Sequence, residues 1–271
     1  MLKNPFKRGI GNRDLIEVTR GITTKQIITK SDIFCNTNFV KNFVENNYLN
    51  KGKYNIIYRV YNFKEGAFTM DRVHKVIENL KKRKINAKFF KDRQELIDEI
   101  IREIDIQDLV AIGGSMTIEQ LNIYDKLLDR GNNVLWHWKV SNDEKMNVLR
   151  KAIFSDVYLT STNALTEDGK IVNIDGVGNR VASMFFGPKK VIMVCGINKI
   201  CKDYDEAIKR IKEIACPQNA RRLQRNVPCA KLDKCMDCTS SERMCMVTSI
   251  IQMCPPLIDF KVYILNEEIG Y

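Results

Sequence analysis

The stretch that decides the fold is DLVAIGGSMT, residues 108–117. Its first part, residues 108–112, predicts a strand, and Gly113-Gly114-Ser115 interrupts that strand where a helical pattern starts. Glycines without a Cβ atom let a ligand approach the backbone closely, and Ser115 and Thr117 supply hydroxyl donors. The pattern favours a phosphate or carboxylate site at this turn. A plain strand-to-helix turn capped by Thr117 is the alternative.

Strand and helix patterns alternate on both sides of this turn. Apolar spacing and capping residues predict helices at 73–80, 92–104, 117–129, 141 onward, 179–186 and 204–215, and short apolar runs predict strands at 87–90, 108–112, 134–138, 157–160, 170–174 and 191–195. Gly131 is expected to end the third helix and Pro217 the last one. This alternation predicts an α/β fold with a mainly parallel sheet flanked by helices, whose ligands bind at the carboxyl ends of the strands.

The polar stretch 160–180, TSTNALTEDGKIVNIDGVGNR, is a second candidate for ligand binding. Its side chains with suitable chemistry are Asn163, Asn173, Asp175, Asn179 and Arg180. We expect them to face Gly113, Gly114, Ser115 and Thr117, with Arg180 recognising anions more than supporting packing. A bulky side chain at Gly114 is expected to force an unfavourable φ. A hairpin whose Asn and Asp residues only form turns explains the composition equally well.

Cysteines are concentrated in one C-terminal segment. Four lie at Cys229-x5-Cys235-x2-Cys238-x6-Cys245, a spacing that predicts a zinc or iron–sulfur site, with reduced, partly buried thiols as the alternative. Cys195, Cys201 and Cys216 have apolar neighbours in the sequence and are expected in the core. The total of nine cysteines is odd, which favours a reducing compartment over a disulfide framework.

Charge and hydropathy limit the location and the partners of the protein. No apolar run approaches the roughly 20 residues that span a bilayer, and the first residues contain no apolar signal core, so we expect a cytoplasmic protein without membrane insertion. Residues 1–93 contain 21 Lys and Arg against 8 Asp and Glu, within a net charge of +11. A solvated basic face explains this excess better than nucleic-acid binding.

The N-terminal 60 residues lack a sustained hydrophobic period. We therefore predict a basic N-terminal segment of unknown role over residues 1–60, dispensable for folding, and one α/β domain over residues 61–271 that includes the Cys-rich segment 229–245.

Several motifs together resemble the lactate-utilisation (LUD) domain family over about residues 65–271. They are GGSMT (113–117), the stretch 161–180, GPKKV (187–191), GINKI (196–200), PQNARRL (217–223) and EIGY (268–271). The resemblance implies a fold like that of ribose-5-phosphate isomerases and CoA-transferases, and a role in oxidising lactate to pyruvate alongside iron–sulfur partner proteins. It adds Asn198 and Lys199 to the ligand-binding set and assigns no catalytic residue. The sequence departs from many relatives at Trp136-His137-Trp138.

Three functions are compatible with these observations. The first is an accessory or oxidoreductase-associated component of lactate or hydroxy-acid utilisation, with a site for an anionic small molecule. The second is a stand-alone isomerase or transferase acting on a phosphorylated or CoA-linked substrate. The third is a metal-bearing scaffold that binds partner subunits.

Overall fold

The computed structural model describes residues 70–271 and two short strands near the N-terminus, β1 (Ile16–Arg20) and β2 (Thr24–Ile28). These two strands pair in antiparallel orientation. The chain divides into two compact units, Met1–Phe63 and Lys64–Tyr271. The predicted N-terminal segment, residues 1–60, lies outside the described residues apart from the two strands.

Helices and strands alternate through the second unit. Its first half contains α1 (70–82), β3 (Asn86–Phe90), α2 (Arg93–Arg102), β4 (Leu109–Ile112), α3 (Met116–Gln120), α4 (Ile123–Arg130), β5 (Asn133–Trp136) and α5 (Asn142–Lys151). Its second half contains β6 (Val157–Ser161), β7 (Ala164–Thr166), β8 (Ile171–Asp175), α6 (Asn179–Phe185), β9 (Lys190–Gly196), β10 (Ile200–Cys201), α7 (Tyr204–Arg210), α8 (Cys216–Arg222), α9 (Pro228–Leu232), β11 (Val247–Ile251) and β12 (Asp259–Leu265).

A six-stranded parallel sheet in the order β3-β12-β9-β6-β4-β5 forms the centre of this unit. Alternate residues of β9 enter different hydrophobic layers, since Val191 and Met193 pack in one cluster and Ile192 and Val194 in another. Helix α1 belongs to the first cluster and helix α2 to the second, so both faces of the sheet are covered. The predicted α/β fold with a mainly parallel sheet is confirmed.

A second, four-stranded sheet has the order β10-β7-β8-β11 and was not predicted. Strand β8 is antiparallel to both of its neighbours, while β7 and β10 are parallel. The polar stretch 160–180 begins in β6 of the large sheet and continues through β7 and β8 of the small one. These polar residues therefore lie where the chain passes from one sheet to the other.

Pro217 does not end the helix that begins at Tyr204, as the sequence had suggested. A π-helical turn, Ile211–Ala215, connects α7 to α8, and the Cys216 N–H donates to the carbonyl of Ile211. The turn shifts the hydrogen-bond register, which places Pro217 in the first turn of a new helical segment. A proline is tolerated there because the first turn leaves backbone N–H groups without intrahelical acceptors.

The single helix predicted after the glycine turn is two helices. Helix α3 ends at Gln120, and α4 starts after Asn122, whose φ of 52° is left-handed. Asparagine adopts this conformation more readily than most residues, so the break between the two helices costs little conformational free energy. Gly131 does end α4, with a φ of 96°. Within the described part of the chain, no helix has both the length and the apolar character needed to cross a membrane.

Candidate functional site

Gly113 is enclosed by side chains of the neighbouring strand. Its N–H donates to the carbonyl of Leu159 at 2.9 Å. A Cβ atom at this position would lie 2.7 Å from Tyr158 Oη and 3.1 Å from Thr160 Oγ1. Glycine is therefore needed here for close packing against β6.

Gly114 contacts the Trp136-His137-Trp138 segment more loosely. A Cβ atom would lie 3.5 Å from His137 Cε1 and 3.6 Å from Trp138 Cζ2, which are ordinary van der Waals distances. The φ of Gly114 also lies outside the left-handed region, so the expectation that a bulky side chain would force an unfavourable φ here is wrong. Partial burial lowers the pKa of His137, and the positive charges of Lys145 and Arg222 add to this effect. The neutral imidazole is thus favoured beside the turn.

Ser115 and Thr117 use their hydroxyl groups in different ways. Ser115 Oγ accepts a hydrogen bond from the N–H of Ile118 at 3.2 Å, so Ser115, and not Thr117, caps α3. Thr117 Oγ1 accepts a hydrogen bond from Lys199 Nζ at 2.8 Å. Both residues are buried.

Lys199 is the central cation of the site. It ends a short 3₁₀ turn after β9, is 2% exposed, and donates to Ser161 Oγ at 3.0 Å as well as to Thr117. Within residues 70–271 no carboxylate forms an ion pair with it. Burial lowers the pKa of Lys199 to about 7. Cys195 opposes this lowering of the pKa, whereas the charges of Arg210 and Arg180 add to it.

Arg180 is buried and uses its donors within the protein. Nη1 donates to the carbonyl of Ser161 at 3.0 Å and to Asn173 Oδ1 at 2.8 Å. Nη2 donates to Asn163 Oδ1 at 2.9 Å and to the carbonyl of Ile174 at 3.0 Å. Nε lies 3.3 Å from Asp175 Oδ2, within ion-pair distance although the hydrogen-bond alignment is poor. The arginine joins the two sheets and does not present a free guanidinium to an anion.

The remaining polar residues of the 160–180 stretch form turns and cross-links. Asn163 Oδ1 accepts a hydrogen bond from the N–H of Ile174 at 3.0 Å. Asn173 Oδ1 accepts one from the N–H of Asn163, also at 3.0 Å. Asp175 Oδ1 accepts from the N–H groups of Val177 and Gly178. Asn179 is half-buried at the start of α6. Such contacts correspond to the turn-forming role that the sequence left open.

The C-terminal EIGY motif packs onto Lys199. Gly270 has a φ of 63°, and a Cβ atom there would lie 2.3 Å from Thr117 Oγ1 and 3.0 Å from Lys199 Nζ. Asn198 holds this segment, since its Nδ2 donates to the carbonyl of Gly270 and its Oδ1 accepts from the N–H of Ile269, both at 3.3 Å. The motif is therefore part of the enclosure around the lysine.

Sequence reasoning missed three residues at the edge of this site. The guanidinium of Arg222 lies 4.5 Å from the centre of the Trp138 ring, and its Nε donates to Tyr271 Oη at 2.8 Å. Tyr271 Oη in turn donates to Asn219 Oδ1 at 2.7 Å. Asn219 and Arg222 belong to the PQNARRL motif and Tyr271 to the EIGY motif. Their position in family motifs was the sequence signal that could have identified them.

Residues distant in sequence thus meet at the carboxyl ends of β4, β6 and β9. The side chains described above include four basic groups, Arg180, Lys199, Arg210 and Arg222, and one carboxylate, that of Asp175. Arg210 donates to the backbone carbonyls of Asn163 and Asn198. This local excess of positive charge suits an anionic ligand.

A family model described as the LUD domain matches residues 73–265. The chain belongs to the LUD domain family. No curated protein matches it significantly. Among solved structures, this LUD domain is similar to a DUF162 family protein from Deinococcus radiodurans, with 12% identity over 73% of this chain and 98% of that chain and a TM-score of 0.44. It is also similar to eIF2B beta from Chaetomium thermophilum, with 15% identity over 43% of this chain and 42% of that chain and a TM-score of 0.32.

Eight cysteines of the LUD domain unit have free thiols. Cys195 and Cys201 are buried as expected, whereas Cys216 is half-buried at the edge of a hydrophobic cluster. Cys229, Cys235, Cys238 and Cys245 are also half-buried. In the part of the chain that is described, no group of three or more His, Cys, Asp or Glu side chains could hold a metal ion. Metal binding by the four predicted cysteines stays a prediction.

Proposed function

We propose that this LUD domain protein binds a small carboxylate of the hydroxy-acid or keto-acid class at the carboxyl ends of β4, β6 and β9. The observation that carries the proposal is the position of Lys199, buried between Thr117 Oγ1 and Ser161 Oγ without a carboxylate partner among residues 70–271. The biological role would be that of an accessory or oxidoreductase-associated component of hydroxy-acid utilisation, acting with iron–sulfur partner proteins as the family resemblance implies.

The cost of burying Lys199 supports an anionic ligand. An ammonium group has three donors, and among the described residues two hydroxyl groups accept from it, which leaves one N–H for a ligand oxygen. A buried charge is strongly destabilised unless it is paired, and the lowered pKa of Lys199, about 7, reflects this cost. A carboxylate bound beside Nζ would supply the missing counter-charge.

Close packing at the glycines around Lys199 favours a small ligand. Gly270 packs against the side chains of Lys199 and Thr117 so closely that a Cβ atom would not fit there. Gly113 packs in the same way against the hydroxyl group of Tyr158. The half-buried His137 and Trp138 lie beside Gly114, within van der Waals distance of a Cβ atom placed there. We therefore infer that the ligand is a short acid and not a bulky nucleotide or coenzyme.

Thermal-shift screening tests this proposal. We expect lactate or pyruvate to raise the melting temperature of the wild type but not that of Lys199→Met. Lys202→Met is the matched control, since Lys202 is exposed and lies three residues after Lys199, and it should respond like the wild type. The panel should include sugar phosphates, CoA and nucleotides. Stabilisation by those compounds alone would favour the isomerase or transferase alternative, and an unchanged response of Lys199→Met would contradict the proposed site.

A further inference from the structure

Helix α5 carries charges of opposite sign at its two ends. Asp143 and Glu144 lie in its first turn, and Arg150 and Lys151 lie in its last. All four residues are exposed, and within residues 70–271 none of them forms an ion pair. The charges of the helix are therefore complementary to those of an identical helix that runs in the opposite direction.

The exposed face of α5 has an apolar centre. Asp143, Met146 and Arg150 are spaced three and four residues apart, so they share one face of the helix. Met146 is 50% exposed and lies near the midpoint of α5. Phe154, which is 80% exposed, follows in the 3₁₀ turn Ala152–Phe154. One exposed apolar side chain therefore lies between the two charges, and another lies beyond the basic end.

A second exposed phenylalanine extends this apolar surface. Phe186 follows α6 and is 70% exposed. The next residue, Gly187, packs against the residue before Phe154, because a Cβ atom at Gly187 would collide with the carbonyl oxygen of Ile153. The two phenylalanines thus lie on neighbouring segments. Large exposed apolar patches on soluble domains commonly mark sites of interaction with another protein.

The domain covers the other face of α5 only in part. None of the ten residues of the helix is buried, and Lys145, Val148 and Leu149 are half-buried. Short isolated helices are marginally stable in water, so a helix of this length depends on packing. Helix α5 packs against β5, which is the last strand at one edge of the large sheet. A second molecule can therefore approach α5 beside this edge.

We propose that α5 pairs with the same helix of a second copy of this chain, in antiparallel orientation about a two-fold axis near Met146. Such pairing places Asp143 of each copy opposite the partner's Arg150, and the two-fold axis generates this contact twice. The two Met146 side chains meet between the charge pairs. Phe154 and Phe186 extend the contact beside the basic end of each helix.

The charges of α5 favour a second copy over other occupants. A parallel helix of the same sequence would place acid against acid and base against base, which is unfavourable. A partner with one sign of charge, such as the basic N-terminal segment, would be attracted at one end of α5 and repelled at the other. An uncharged segment would cover Met146 and leave all four charges without partners. An interface with two-fold symmetry has to be complementary to itself, and the face of α5 meets this condition.

The proposed interface is connected to the glycine turn through the chain. Residues 137–141 join β5 to α5, and His137 and Trp138 in this connection lie beside Gly114. Pairing of α5 would therefore fix the helix at one end of that connection. The proposal does not depend on which ligand, if any, binds beside Lys199.

Analytical ultracentrifugation of the full chain at micromolar concentrations tests this inference. We expect the wild type to be a dimer. Asp143→Arg and Arg150→Asp should each weaken the dimer at least about tenfold, because each substitution places like charges opposite one another at two symmetry-related contacts. The double variant Asp143→Arg/Arg150→Asp exchanges the two charges and should restore the affinity of the wild type. Lys126→Asp is the control, since Lys126 is an exposed residue of α4 without an ion pair among residues 70–271, and it should dimerise normally.

The outcomes separate the dimer from the role of α5. Wild-type protein that stays monomeric would overturn the dimer itself. A dimer that withstands both single substitutions, or that the double variant does not restore, would overturn antiparallel pairing through α5. Circular dichroism should show every variant to be folded, because the substituted residues are exposed. No measurement here involves a carboxylate ligand, so failure is distinguishable from failure of the proposed site at Lys199.

Discussion

Lys199 Nζ lies 2.8 Å from Thr117 Oγ1, and this hydrogen bond joins parts of the chain that are 82 residues apart. Thr117 follows β4, and Lys199 follows β9. Strand β6, which ends with Ser161, lies between them in the sheet. Because all three strands are parallel, their carboxyl ends meet, and the lysine connects the glycine turn to the polar stretch.

Replacing Arg180 by alanine should destabilise the fold. The substitution removes hydrogen bonds to Ser161, Asn173 and Asn163. It also leaves the buried carboxylate of Asp175 without its ion-pair partner. Breaking a buried ion pair of this kind costs about 3–5 kcal/mol of unfolding free energy. Urea denaturation measures the effect, with the exposed Arg222→Ala as the matched control. A loss similar to that of the control would show that Arg180 is not a structural link.

Alanine should be tolerated differently at the two glycines of the turn. At Gly113 the new methyl group would collide with Tyr158 Oη, and overpacking in such a place costs about 1–3 kcal/mol. At Gly114 the methyl group would make ordinary contacts with His137 and Trp138, so a change of at most about 0.5 kcal/mol is expected. Denaturation curves of the two variants compare these costs directly. Equal destabilisation would contradict this distinction.

Hydrophobic patterns predicted most of the large sheet because they are local. The runs at 108–112, 157–160 and 191–195 became β4, β6 and β9, and Asp92 caps α2 by accepting from the N–H groups of Gln94 and Glu95. The small sheet was missed because pairing between distant strands such as β8 and β11 leaves no local periodicity. The prediction that Pro217 ends the helix was wrong because a π-helical turn precedes the proline and places it in the first turn of the next helix.

The candidate site was predictable in composition but not in the roles of its residues. Family motifs indicated Lys199, Asn198 and the glycine turn, and the structure brings them together. Polar residues such as Arg180 and Asp175 look the same in sequence whether they bind a ligand or one another. Their mutual contacts across two sheets depend on the tertiary fold, which no local pattern encodes.

Burial of Lys199 should make stability depend on pH. The pKa of this lysine is about 7 in the folded protein and 10.5 ordinarily, so between these values the unfolded chain binds the additional proton. Stability of the wild type relative to Lys199→Met should therefore rise with pH, by about 3 kcal/mol from pH 6 to pH 9.5. Urea denaturation of both proteins at the two pH values measures the difference. A constant difference would show that the pKa is not lowered.

The most direct test of the proposed carboxylate site is calorimetric titration with pyruvate and lactate at pH 6.5 and pH 8.5. An anion beside Lys199 Nζ favours the protonated amine, so binding at pH 8.5 should take up about one proton. This uptake is measured as a dependence of the binding heat on the ionisation enthalpy of the buffer. For the same reason, the affinity should be weaker at pH 8.5 than at pH 6.5. Lys202→Met should behave like the wild type, and Lys199→Met should lose both the binding and the proton uptake. Binding of either acid with equal affinity in Lys199→Met, and without proton uptake in the wild type, would contradict the central role assigned to Lys199.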